Sequence, residues 1–425
     1  MGQVYPQRNR VMIMSKLDKL IEKLCPEGVE FKPMWSLTAW DKKFNGIDRN
    51  MQKKVVPYHY FLAAEFDQIE REDGDIFYIS TGITGKDRFT TEELAGDNLA
   101  EGEVVCIPWG GTPNVKYYKG KFVTGDNRIA TSLDPTVLDN KYLYYWMQSQ
   151  IELIGSFYRG SGIKHPSMKS VLELRVPVPP VEVQREIVRV LDNFTFLSAE
   201  LSAELSARKK QADYYRGKMI LSASDYSEYE LSDICSIIDC PHSSPKWKEE
   251  GVPVIRNYNL VNGTIDTTKL SYVSEDDYKE RIKRVEPQEN DILFSREAPI
   301  GNVGIIPAGF KCCQGQRVVL LRPYTQYVLP RFLIHVLQSD LVRNQIGKKE
   351  GVGATVSNFN IADLKRLKIL LPPLDDQRII ADKLDVFNKY CFDITSGLPR
   401  EIQLREQQYQ YYRDILLSFK ERTAS

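Results

Sequence analysis

The chain repeats one sequence plan twice, and this duplication constrains its fold more than any other feature. The stretch VPVPPVEVQREIVRVLDNF begins at Val176, and ILLPPLDDQRIIADKLDVF begins at Ile369. The two stretches share eight identities in nineteen positions, where unrelated sequences of average composition would share about one. Further downstream, AELSARKKQADYYR from Ala203 and REIQLREQQYQYYR from Arg400 end in the same Tyr-Tyr-Arg triplet. A chain with two copies of one plan is expected to fold as two equivalent modules.

Each copy continues from a Pro-Pro pair into a long helix. Proline fits the first turn of a helix and keeps the preceding residue out of helical space, so Pro179-Pro180 and Pro372-Pro373 each mark a helix start. Apolar residues then recur every three or four positions between charged ones, which is typical of a helix with one narrow apolar face. The pattern predicts a helix of about 60 Å over Val183–Ser222 and a second helical region near the carboxyl end.

This apolar stripe leaves two packing arrangements open. The two helical regions can pack on each other as a coiled coil, or each can dock separately on its own module. The length of the first helix and the duplication favour the shared coiled coil. The regions between the helices have short strand-like runs and helical stretches at Lys141–Gly155 and Pro330–Gly347, so the fold class is α+β. The predicted boundaries are residues 1–27 for an N-terminal extension and short helix, 28–178 for the first mixed α/β module, 179–222 for a central helical spacer, 223–371 for the second module, and 372–425 for a C-terminal helical spacer.

Composition excludes several classes of protein. The 57 Lys and Arg residues balance 57 Asp and Glu residues, which excludes a wholly basic nucleic-acid binder but allows local basic patches. The sequence contains no apolar run of about 18 residues, so it predicts no membrane span, and its first residues lack the apolar segment of a secretory signal. Seven cysteines, an odd number in a long chain, indicate reduced thiols. We therefore expect a cytoplasmic protein.

The sequence predicts no catalytic site and no metal site. It has no glycine-rich phosphate loop, no Rossmann glycine pattern and no motif of a base amino-methyltransferase. Cys235, Cys240 and His242 do not have the spacing of a zinc site, and a buried free thiol is the expected state of Cys235. His335 lies in an apolar helical stretch and is expected to be packed or half-exposed rather than a catalytic base.

Basic, amide and aromatic residues instead occur on glycine-punctuated loops in both modules. Lys and Arg neutralise phosphates, while Arg, Asn and Gln can hydrogen-bond to base edges. The alternative is that these lysines are only solvated surface and that the tyrosines are half-buried; their paired occurrence in both modules favours DNA contact. The candidates in the first module are Lys116, Tyr117, Lys119, Lys121, Arg128, Arg159, Lys164 and Lys169. The candidates in the second module are Lys246, Lys248, Arg256, Asn257, Arg296, Asn302, Gln316, Arg317, Lys348 and Lys349, and the same loops carry Trp247 and Asn259.

Two variable regions, each followed by a Pro-Pro-x-x-x-Gln helix and an Arg-x-x-Gln-x-x-Tyr-Tyr-Arg helix, closely resemble the specificity subunit of type I restriction–modification enzymes. The stretch SKLDKLIEKLCPEGVEFK from Ser15 is similar to the usual start of that family, so Met14 is the expected initiator and residues 1–13 an extension. The resemblance covers essentially the whole chain. It implies a non-catalytic subunit with two target recognition domains, each reading one half of a split double-stranded DNA target. It also implies that the helices form an antiparallel coiled coil that sets the spacing, with pseudo-two-fold symmetry.

The resemblance further implies partner subunits. Methyltransferase subunits, usually two, dock on the helical regions and bind S-adenosylmethionine, and ATP- and Mg-dependent restriction subunits join them; this chain is expected to bind no cofactor. The residues expected in spacing and docking are Gln184, Leu191, Phe194, Arg208, Gln211, Tyr214, Tyr215, Gln377, Leu384, Phe387, Arg405, Gln408, Tyr411 and Tyr412. A scaffold whose modules bind protein instead of DNA is the alternative.

Overall fold

The computed structural model describes residues 7–83, 86–347, 359–392 and 397–422. The chain divides into two compact units, one made of Met1–Ser198 with Arg405–Ser425 and the other of Ala199–Leu404. We call them unit 1 and unit 2. Both combine helices and strands, as the sequence predicts.

Unit 1 contains one larger sheet and the start of a long helix. Its helices are α1 Gln7–Leu24, α2 Met34–Leu37, α3 Ala63–Ile69, α4 Glu92–Ala95, α5 Asn140–Ser149, α6 Ile151–Ser156, α7 Met168–Leu172 and the first part of α8 Val181–Ile220. Its strands are β1 Glu30–Pro33, β2 Thr38–Trp40, β3 Ile76–Ile79, β4 Phe89–Thr90, β5 Ala100–Pro108, β6 Lys116–Thr124, β7 Asn127–Ser132, β8 Tyr158–Arg159, β9 His165–Pro166 and β10 Arg175–Val178. The sheet order is β2-β7-β5-β6-β3-β4, with β3 and β6 parallel.

Unit 2 repeats the central part of this arrangement. Its helices are α9 Leu231–Ile234, α10 Glu275–Arg281, α11 Pro330–Leu337, α12 Asp340–Gly347, α13 Ile361–Lys365, α14 Leu374–Phe392 and the first part of α15 Leu398–Leu416. Its strands are β11 Ser227–Glu230, β12 Cys235–Ile238, β13 Val252–Ile255, β14 Leu260–Val261, β15 Thr264–Ile265, β16 Ser271–Val273, β17 Ile292–Ser295, β18 Val303–Ile305, β19 Cys313–Gln314, β20 Val318–Pro323 and β21 Lys368–Leu371. The four-stranded order β12-β20-β17-β18 matches β2-β7-β5-β6 of unit 1.

A two-stranded ribbon joins the first and last strands of each module. In unit 1, β1 pairs antiparallel with β10, and in unit 2, β11 pairs antiparallel with β21. The Pro-Pro pair follows β10 and β21 directly, and α8 and α14 begin at the next residues. The ribbon therefore fixes where each long helix leaves its module.

The helical stretches predicted as continuous are each broken in two, and the same serine hydrogen bond occurs at the break in both units. The Ser149 hydroxyl donates to the carbonyl of Trp146 at 2.7 Å, and the Ser339 hydroxyl donates to the carbonyl of Val336 at 2.6 Å. A serine that bonds back to the preceding turn competes with the helical ladder. The Gln-Ser pair shared by both copies thus marks a helix end. Within the described residues, no helix is both long and apolar enough to cross a membrane.

Candidate nucleic-acid interface

A buried glutamine fastens each long helix to its own module. The Gln184 side chain donates to the carbonyls of Val137 and Pro179, at 2.8 and 2.7 Å, and accepts from the Asp139 N–H at 2.9 Å. The Gln377 side chain makes the equivalent three bonds, each of 2.9 Å, with Tyr327, Pro372 and the Leu329 N–H. We call this arrangement the glutamine clamp.

The glutamine clamp corrects one prediction. Gln184 and Gln377 are at most 1% exposed, so their amides cannot contact a docking partner. Leu191 and Leu384 are also buried, in the cores of units 1 and 2 respectively. These four residues attach the helices to the modules.

An aspartate on each long helix holds the preceding module helix by side-chain bonds. In unit 1, Asp192 accepts from Lys141 at 2.8 Å and from the Tyr145 hydroxyl at 2.6 Å. In unit 2, the corresponding Asp385 bonds to Arg331 and to Nε2 of His335, the latter at 2.8 Å. His335 is fully buried, and burial holds its pKa below the usual value although Asp385 opposes this shift.

Aromatic rings stack between helices within each unit. In unit 1 the rings of Phe194 and Tyr412 lie 5.4 Å apart, and in unit 2 those of Phe387 and Tyr215 lie 6.1 Å apart. The preceding tyrosine of each Tyr-Tyr-Arg triplet points to solvent: Tyr214 is 57% exposed and Tyr411 is 63% exposed. In each pair the second tyrosine stacks on a helix of the same unit, although Tyr215 keeps 37% of its surface exposed, and the first tyrosine is the more accessible one.

The remaining spacer candidates lie on the partly exposed faces of these helices. Arg208 is exposed and donates to Gln211 at 3.0 Å, while Glu204 lies 3.5 Å from its guanidinium. Arg405 and Gln408, at the corresponding positions of α15, are half-buried.

Three first-module candidates are held inside unit 1. The sequence predicts DNA contact for Arg128, but this residue is 1% exposed, bonds to Asp41 at 3.0 Å and lies 4.9 Å from the centre of the Trp109 ring. A buried, paired guanidinium cannot reach a phosphate, so this prediction is wrong. The Lys116 ammonium donates to three oxygens at the β3 end, and burial lowers its pKa. The Tyr117 hydroxyl donates to Glu103 at 2.8 Å.

The other first-module candidates are on the surface. Lys119 and Lys121 are exposed but paired, with Glu103 at 3.3 Å and with Glu92 at 2.9 Å. The remaining three candidates lie exposed on the segment that runs from β8 into α7: Arg159, Lys164 and Lys169.

Sequence reasoning missed a basic and aromatic group beside this segment. Lys42 lies 5.4 Å from the centre of the half-buried Trp109 ring, and the carbonyl of Trp109 lies 2.7 Å from Nδ1 of His165. The tryptophan directly follows β5, and a tryptophan at a strand end among basic loops is the signal that could have found it.

Second-module candidates divide into paired and accessible residues. Arg296 is bound to Asp239 at 2.9 Å and also donates to the carbonyl of Phe359, so it is not free to contact bases as predicted. Arg317 is exposed and paired with Glu297 at 2.8 Å.

The amide candidates of the second module face its own loops. Asn257 donates to the carbonyl of Ala298 at 2.7 Å, and Gln316 donates to the carbonyl of His242 at 3.2 Å. Asn302 is half-buried, and its carbonyl accepts from the Ser295 N–H. Lys348 and Lys349 lie outside the described residues.

The accessible second-module candidates surround exposed aromatic rings. Lys246, Lys248 and Arg256 are all exposed. Trp247 and Tyr258 lie among them, with 47% and 42% of their surface exposed. Tyr258 had no sequence signal beyond its place in the loop. In the described part of the chain, no cluster of His, Cys, Asp and Glu is arranged to hold a metal ion.

Comparisons with known proteins identify similar sequences and a similar fold. A family model described as the type I restriction modification DNA specificity domain matches residues 63–208 and 223–404. The chain is 30% identical over 310 residues to the type I restriction enzyme EcoR124I/EcoR124II specificity subunit of Escherichia coli. The matched region covers 69% of this chain and 74% of that protein. Its fold resembles the crystal structure of a type I restriction–modification S subunit from M. genitalium, with a TM-score of 0.53, 16% identity, and coverage of 92% of this chain and 96% of the other.

Proposed function

The chain belongs to the family of type I restriction–modification DNA specificity subunits, and on this premise we propose that it selects the DNA target of such a complex without catalysing any step itself. The observation that carries the proposal is the duplicated site. Each unit presents accessible basic residues on its own loops, and the same glutamine clamp fastens each module to a long helix. Two equivalent DNA-contacting modules suit a target made of two half-sites.

The long helices act as the spacer in this proposal. Stacked aromatic pairs between helices, Phe194 with Tyr412 and Phe387 with Tyr215, support an antiparallel coiled coil with pseudo-two-fold symmetry. Such a body places two similar readers on one face of a duplex, with half-sites about 34 Å or a multiple of this distance apart. In this assignment residues 28–178 and 223–371 are the target recognition domains.

Partner subunits supply the chemistry. Two methyltransferase subunits with S-adenosylmethionine dock on the helical regions, and restriction subunits with ATP and Mg join them in the cytosol. The exposed Tyr214 and Tyr411 offer docking positions that occur once per repeat. The zero net charge supports partner contributions to phosphate binding, because this chain has no overall positive charge of its own.

A domain exchange tests the proposed function. The complex with its methyltransferase partner should methylate one bipartite sequence, mapped across the host genome with and without this chain. Replacing residues 28–178 by the corresponding region of another family member should change one half-site and leave the other half-site and the spacing intact. A change in both half-sites or in neither would refute the hypothesis that each module recognises one half-site. DNA binding that is insensitive to salt and has no sequence preference would favour a protein-binding scaffold.

A further inference from the structure

Two exposed aromatic rings flank one arginine on the surface of unit 2. The Arg256 guanidinium lies 4.9 Å from the centre of the Tyr258 ring and 5.4 Å from the centre of the Trp247 ring. Nearly half of each ring's residue surface is accessible, so these rings are not part of the core. We call Trp247, Arg256 and Tyr258 the arginine platform.

The backbone beneath the arginine platform is held on both sides. The buried Asn259 side chain accepts from the Arg256 N–H at 3.0 Å and donates to two backbone carbonyls at 3.1 Å. The residue after Trp247 is Lys248, whose N–H donates to the carbonyl of Tyr272 at 2.9 Å. The Cα positions of the platform residues are therefore fixed by the module before any ligand binds.

The guanidinium of Arg256 keeps its donors available. Its neighbours on the loops of unit 2 do not: Arg296 pairs with Asp239, and Arg317 pairs with Glu297. Across the described residues, no carboxylate forms an ion pair with Arg256. An arginine whose N–H groups are unoccupied can donate them to a ligand.

The surroundings of the arginine platform suit a polyanion. Lys246 and Lys248 flank Trp247 in sequence, and both are exposed. Glu249 and Glu250 follow them, yet neither glutamate pairs with either lysine in the part of the chain that the structure describes. Two unpaired ammonium groups beside one arginine can neutralise phosphates on either side of a contacted base.

We propose that Arg256 reads a guanine in the half-site recognised by unit 2, with its guanidinium oriented by Trp247 and Tyr258. The planar guanidinium matches O6 and N7 of guanine in the major groove, where both atoms accept hydrogen bonds. Cation–π contact with two rings restricts the side chain before binding, so less conformational freedom is lost when it meets the base. This inference rests on the proposed function and adds to it the residue and the base.

The test measures binding of the methyltransferase complex to duplexes carrying its mapped target. Each guanine of both half-sites is replaced in turn by 7-deazaguanine, which lacks the N7 acceptor. Arg256→Ala should weaken binding to the target by about 10- to 100-fold, with a change below about threefold on unrelated DNA. Replacement of one particular guanine should weaken DNA binding by the wild-type complex but should not change DNA binding by the Arg256→Ala complex.

Three variants make the result specific. Arg256→Lys keeps the charge but not the planar pair of donors, so it should lose the same guanine preference. Trp247→Ala should also weaken binding to the target, as Arg256→Ala does. Arg366→Ala, which removes an exposed arginine of unit 2 at the end of α13, should bind as the wild type does. If a variant complex keeps its sequence preference in the half-site recognised by unit 1, that variant is folded.

Two results would overturn the inference. The first is an equal loss on target and unrelated DNA, which would make Arg256 a phosphate contact. The second is that every guanine replacement changes DNA binding equally in the wild-type and Arg256→Ala complexes. If the wild-type complex itself showed no sequence preference, the proposed function would fail; a selective wild type with an unaltered Arg256→Ala variant would refute this inference alone.

Discussion

The glutamine clamp predicts a large loss of stability from one side-chain truncation. Gln184→Ala removes three hydrogen bonds and leaves the partly buried Asp139 N–H and two carbonyls without their partner. A hydrogen bond contributes a net of about 0.5–1.5 kcal/mol, and an orphaned buried polar group costs about 1–3 kcal/mol. We therefore expect the free energy of unfolding of unit 1 to fall by about 2–5 kcal/mol.

Urea unfolding and hydrogen exchange together measure this effect. The Asp139 amide should lose protection in Gln184→Ala, and the Leu329 amide should lose protection in Gln377→Ala, because each glutamine accepts from that N–H. Gln407→Ala, at an exposed position of α15, is the matched control and should change stability by less than about 0.5 kcal/mol. A loss below about 1 kcal/mol with an unchanged Asp139 amide would refute the reasoning.

Three further predictions concern docking, DNA contact and pH. Tyr411→Ala should weaken methyltransferase binding without lowering stability, whereas Tyr412→Ala should lower stability because its ring is stacked. Lys164→Ala should reduce the slope of log binding constant against log salt by about 1, and the paired Lys121 should contribute less. Because burial lowers the pKa of His335, the unfolded chain takes up this proton first, so unit 2 should lose stability below about pH 6.5. His335→Tyr should reduce that loss.

These predictions have clear contrary outcomes. Equal methyltransferase affinity in the wild type and Tyr411→Ala would remove this tyrosine from the docking surface. An equal salt slope for Lys164→Ala and the wild type, measured by fluorescence anisotropy between 50 and 200 mM salt (the range over which phosphate contacts change affinity strongly, about 10³-fold or more), would exclude a phosphate contact there. His335→Tyr introduces the residue that the first repeat has at Tyr145, and an unchanged pH profile in urea unfolding would show that His335 is not the titrating group.

Local chemistry explains what the sequence could predict of the fold. The Pro-Pro pair and the three-to-four spacing of apolar residues predict a helix over Val183–Ser222, and the helix spans Val181–Ile220. Strand order could not be predicted, because β2 pairs with β7 across a long stretch of intervening chain. Sequence periodicity describes which face of a strand is apolar but not which neighbour it meets.

The candidate site was harder to predict because ion pairing is non-local. Arg128 is the second residue of β7 and Arg256 directly follows β13, and the two arginines are indistinguishable as sequence signals. Asp41 pairs with Arg128 from 87 positions away, which makes Arg128 structural. Arg256 meets two rings instead of a carboxylate. Only the folded chain reveals which arginine keeps its donors.

The composition of the two units has a consequence for the order in which a newly made chain folds. Unit 2 is continuous from Ala199 to Leu404, whereas unit 1 needs both Met1–Ser198 and Arg405–Ser425. Leu416 and Leu417 are buried in the core of unit 1, and the Val29 N–H donates to the carbonyl of Lys420 while the Val29 carbonyl accepts from the Arg422 N–H. Domains usually complete their folding from the amino end during synthesis. Here unit 1, whose larger part is translated first, is finished last, so a ribosome that stops short of residue 405 releases a chain in which only unit 2 is complete.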